Sequence, residues 1–118
     1  MFETSRYSAS AILDTWVNHS WSEGIQLVSL PDMSELVVET RNSAYEITTI
    51  DGPGREILIR GGKFFPERTA ARLCGSSLRG SFLKLGGIYA GFSMEILCEG
   101  QTIVTSPVQS IRLRSAHS

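Results

Sequence analysis

From Ile25 onward the apolar residues come in short runs of branched and aromatic side chains broken by glycine, which is the texture of short antiparallel strands. These runs predict strands near 25–30, 35–41, 44–50, 56–60, 81–85, 88–98, 101–106 and 108–113. Phe92, Met94, Ile96 and Cys98 share one face of their run while Ser93 and Glu95 share the other, so that strand has one dry and one wet side. Asp51-Gly52-Pro53-Gly54 and Glu99-Gly100 read as turns between neighbouring strands, the second as a tight hairpin. Leu36 and Val38 fall on even positions but Tyr45 and Ile47 on odd ones, which requires a bend or bulge around Arg41-Asn42-Ser43. Pro107 cannot donate to a ladder and marks a strand break or an edge. The predicted core gathers Ile57, Ile59, Leu85, Met94, Ile96 and Cys98.

Before Ile25 the period changes. Ile12 lies over Trp16 and Leu13 over Val17 at i,i+4 spacing, behind possible caps at Ser8 or Ser10. This predicts a short helix over 11–17. Two turns are not stable alone in water, so Ile12, Leu13, Trp16 and Val17 are candidate partner-binding residues that must dock on the domain or elsewhere. The predicted architecture is all-β: a small, partly open antiparallel barrel over 25–114, an N-terminal arm with a short helix over 1–24, and a flexible tail at 115–118. Glycine pairs at Gly61-Gly62 and Gly86-Gly87 fit the sharp coiling such a barrel needs.

With 118 residues, 42% hydrophobic and 19% charged, the chain is one domain that buries roughly two-thirds of its unfolded surface. No apolar run approaches membrane-spanning length, and the opening residues lack a basic, then apolar, export signal. A cytoplasmic location follows, with Cys74 and Cys98 as thiols.

Charge changes the picture most. Residues 1–50 hold seven acids against Arg6 and Arg41, while Arg55–Lys84 holds seven cations against Glu56 and Glu67. The net charge of −1 therefore conceals two opposed halves. The cations, with the serines of Gly75-Ser76-Ser77-Leu78-Arg79-Gly80-Ser81, make Arg60, Lys63, Arg68, Arg72, Ser76, Ser77, Arg79 and Lys84 candidate anion-binding residues. That loop lacks the Lys-Ser/Thr of a nucleotide-binding P-loop, because Ser81-Phe82 follows its second glycine. His19 and His117 have no ligand or nucleophile near them in sequence, no zinc spacing occurs, and no cofactor is implied. The reading is a non-catalytic interaction or assembly module with a protein partner or a second copy of itself. The alternative is anion, nucleotide or nucleic-acid binding through 55–84.

Overall fold

A computed structural model describes residues 23–78 and 81–115, with Ser81, Phe82 and Ser115 described in backbone only. Its elements are β1 (Gly24–Gln26), a 3₁₀ turn (Leu27–Ser29), β2 (Glu35–Thr40), β3 (Ala44–Asp51), β4 (Glu56–Gly61), β5 (Phe65–Leu78), β6 (Ser81–Leu85), β7 (Gly87–Tyr89), β8 (Ser93–Cys98) and β9 (Gln101–Ser115). All described pairings are antiparallel. The order β4-β3-β2-β9-β8-β5 returns on itself through β4–β5, so the sheet is a ring, with β6 attached to β5 outside it.

Two long strands close this ring by changing partner midway. β5 runs beside β4 from Phe65 to Arg72, then beside β8 from Arg72 to Ser77, while β6 takes the edge that β4 vacates. The change is made at Gly75, whose φ of +154° accompanies a register shift between Leu73 and Gly75. A Cβ at this position would collide with the carbonyl oxygen of Lys84, so glycine is required for close backbone approach. β9 pairs with β8 as far as Pro107 and with β2 from Val108 onward. Proline suits the switch point because it has no N–H to leave unpaired, and its carbonyl accepts the Arg41 N–H at 3.0 Å.

Alternation fills the ring. Leu36 and Val38 of β2, Ile47 of β3, Ile57 and Ile59 of β4, Leu73 of β5, and Met94 and Ile96 of β8 are all buried, and each such side chain contributes about 1.5–3 kcal/mol relative to exposure. Leu27, just after β1, and Ile88 of β7, both fully buried, join the β1–β7 ribbon to the same core. The Ser76 hydroxyl secures the ribbon, donating to the Gly87 carbonyl at 2.9 Å and accepting the Tyr89 N–H at 3.1 Å.

Several expectations are corrected. The longest strand predicted from none of the apolar runs is β5, which covers Phe65–Leu78. The run 88–98 is divided by a turn at Ala90–Phe92, because Ala90 N–H bonds Glu23 and Gly91 N–H bonds Val108 instead of continuing one ladder. The runs 101–106 and 108–113 are one strand bent through Pro107. Within 25–30 the chain leaves β1 for a 3₁₀ turn. The bend expected at Arg41–Ser43 is present and is the β2–β3 hairpin turn. Leu85 is not core: it is 58% exposed, because β6 lies outside the ring, and the neighbouring Lys84 is the half-buried residue, over the Tyr89 ring. Cys98 is half-buried against the core. The predicted helix over 11–17 lies outside the described residues.

Candidate interaction surface

The cations of 55–84 are spread over several surfaces. Arg60 is ion-paired with Glu46 at 2.6 Å, and Arg114 bridges Glu35 at 3.1 Å and Glu46 at 3.3 Å. The result is an outer-face chain, Glu35–Arg114–Glu46–Arg60, that crosses β2, β3, β4 and β9. The Arg60 hydrogen bond, helped by Arg114, holds the Glu46 carboxyl below its ordinary range, and the Glu35 and Glu46 carboxylates raise the Arg114 guanidinium. Acids of the N-terminal half thus take up part of the basic charge. Arg68 and Arg72 stand exposed on β5, with Arg72 directly opposite Glu56. Lys63 lies over the Phe64 ring at 5.7 Å in the β4–β5 turn. Lys84 lies over the Tyr89 ring at 5.7 Å, on the side of β5 that carries Ser76. Ser76 is committed to the β7 backbone, and the buried Ser77 hydroxyl has no hydrogen-bond partner. Arg79 lies outside the described residues. Arg60, Arg68 and Arg72 are therefore brought to one face, interleaved with acids, while Lys63 and Lys84 are placed elsewhere.

Concavities among the described residues lie beside the ring. A cleft of about 630 Å³ opens where the β8–β9 turn meets β4 and β5, with Ile57, Leu58, Ala70, Ala71 and Leu97 as its walls and Glu56, Arg72 and Glu99 as its polar groups. Cys98 lines it too, and its thiol donates to the Ala70 carbonyl at 3.7 Å. The partner of the thiol is thus a backbone carbonyl, which cannot take its proton as the base of a nucleophile–base pair does. Among the described residues no cluster of His, Cys, Asp and Glu could hold a metal ion.

The second concavity is a slot of about 450 Å³ between β1 and β9. It exists because β9 outruns β8. Among the described residues, the last bonds on that edge are Gly91 N–H to Val108 C=O at 2.8 Å and Val108 N–H to Phe92 C=O at 2.9 Å. From Gln109 to Ser115 β9 has β2 on one side and, among the described residues, no strand on the other. Ile25, Leu36 and Ile111 floor the slot, Glu23 and Gln109 stand at its rims, and Leu113 is 53% exposed. An edge with open N–H and C=O groups over an apolar floor is the arrangement that accepts an added strand.

Sequence reasoning did not single out this slot, although the alternation Ile111-Arg112-Leu113-Arg114 marks a half-buried strand. The absence of a neighbour on one side of that strand is a property of the pairing, which the alternation does not carry. The partner-binding candidates Ile12, Leu13, Trp16 and Val17 lie outside the described residues. No helix among the described residues is long and apolar enough to cross a membrane. No family model, curated protein or solved structure matches this chain.

Proposed function

We propose that this chain is a non-catalytic interaction module that receives an extended protein segment along the open edge of β9. The observation that carries the reading is the seven-residue edge Gln109–Ser115, unpaired by any described strand and set beside the apolar slot against β1. Strand addition at such an edge draws affinity from main-chain hydrogen bonds and selectivity from alternate side chains. The dispersal of the cations, with Arg60 already paired, gives an anion-binding surface less support.

The test is a photo-crosslinking amino acid placed in the cell at Gln109, which lines the slot, and separately at Thr102, an exposed residue of β9 remote from it. A discrete protein adduct from Gln109 and none from Thr102 is the expected result. Adducts at neither position, or equally at both, would remove the slot as an interaction site.

A further inference from the structure

The slot's own chemistry narrows what it accepts, provided that the slot is a strand-accepting edge. We infer that its occupant is a segment of a different protein, apolar at alternate positions with an acidic residue between them, placed so that the acid lies across from Arg112. Ile111 and Leu113 turn toward the slot, so by the period-2 rule the neighbouring Arg112 stands on the outer face of the same edge. An added strand sets its own residues directly opposite these, apolar against Ile111 and Leu113 and outward against Arg112.

Arg112 is the charge that selects. It is exposed and has no ion-pair or hydrogen-bond partner among the described residues, whereas Arg114 is already bound to Glu35 and Glu46. The nearby Glu39 carboxylate accepts the Ser110 hydroxyl at 3.0 Å. On the far rim stands Glu23, which repels an acid near β1 and keeps the favourable position over β9. The same reasoning disfavours a second copy: two β9 edges paired antiparallel about their centre bring the Arg112 side chains face to face, and like charges directly opposite are destabilising.

The probes are two fluorescein-labelled seven-residue peptides, one alternating valine with glutamate and one alternating valine with lysine. Each is titrated into the full chain at low salt and followed by anisotropy, with amide NMR and hydrogen exchange over 109–115. The glutamate peptide is expected to bind about threefold to tenfold more tightly, because its charge across from Arg112 attracts where that of lysine repels, while Arg114 is already engaged by Glu35 and Glu46. Its binding should shift the amides of 109–115, and Arg112→Glu should invert the preference. Equal binding, a preference for lysine, or no binding by either peptide overturns the inference. If neither peptide binds but Gln109 still crosslinks specifically, the partner chemistry is wrong and the edge reading survives. If crosslinks are absent too, both fall. Two further results would also overturn the inference by naming another occupant. Amides 109–115 already protected in the free monomer would mean that the chain's own N-terminal segment fills the slot. A concentration-dependent mass abolished by Leu113→Asp would mean that a second copy fills it.

Discussion

Gly75 marks where β6 replaces β4 along one edge of β5, and the reason is steric. Gly75→Ala should destabilise the domain by more than about 1 kcal/mol, because alanine at a positive φ is strained and its Cβ meets the Lys84 carbonyl. A chemical-denaturation midpoint unchanged by this substitution would show that the bend does not depend on glycine. Ile96, fully buried at the centre of β8, should cost about 2–5 kcal/mol when truncated to alanine, measured in the same way. Glu46 sets a pH dependence. Its folded value lies below the ordinary 4.5, so its contribution to stability is present above about pH 4.5 and fades as pH falls through the lowered value. Glu46→Gln should therefore flatten the acid limb of the stability–pH curve, with an effect that shrinks in high salt because the carboxylate is solvent-exposed. Ile57, Ile59, Met94 and Ile96 were legible as core from alternation alone. Ser76 was not legible: among glycines and serines it reads as part of an anion loop, and only the arrival of β7, remote in sequence, reveals its hydroxyl as a backbone clasp.

At the scale of elements, legibility followed the length of clean alternation. β2, β3, β4 and β8 have apolar residues on one face and were found. β5 alternates as well, with Phe65, Thr69, Ala71 and Leu73 inward, but its inner face is short of large apolar groups and its outer face carries Arg68 and Arg72. The Gly-Ser run beyond then imitates a loop, although neighbours on both sides hold it extended. The β8–β9 turn was read correctly, and it carries a removable strain. Glu99 has φ of 51° and Gly100 φ of 80°, the left-handed pair of a type I′ turn, where Asn-Gly is favoured. Glu99→Asn should raise stability by several tenths to about 1 kcal/mol, seen as a higher melting temperature. A lower one would show that the Glu99 side chain makes a contact worth more than the backbone strain.

For the whole molecule, the opposed charge of the two halves is partly resolved by folding, because Glu46 meets Arg60 of the basic segment and Arg114, from the C-terminal strand, extends the chain of pairs to Glu35. Arg68 and Arg72 stay outside that chain of pairs, so reversing both to Glu should change stability by no more than about 0–1 kcal/mol each in a urea melt. A larger loss would mean that the halves hold each other more tightly than exposed pairs do. The all-β class and most strand positions could be read from the sequence, but closure could not, since it depends on which strand meets which. The closing pairs are also the most distant in sequence, Leu36 with Leu113 and Val38 with Ile111. Forming them requires the chain to bring its ends together before any burial between them is gained, which places folding in the slow range of non-local β topologies, about milliseconds to seconds. Until β9 arrives, β2 presents an open edge with Leu36 and Val38 uncovered, and the half-built ring is a species that other unfolded copies can extend. Refolding yield should therefore fall as protein concentration rises.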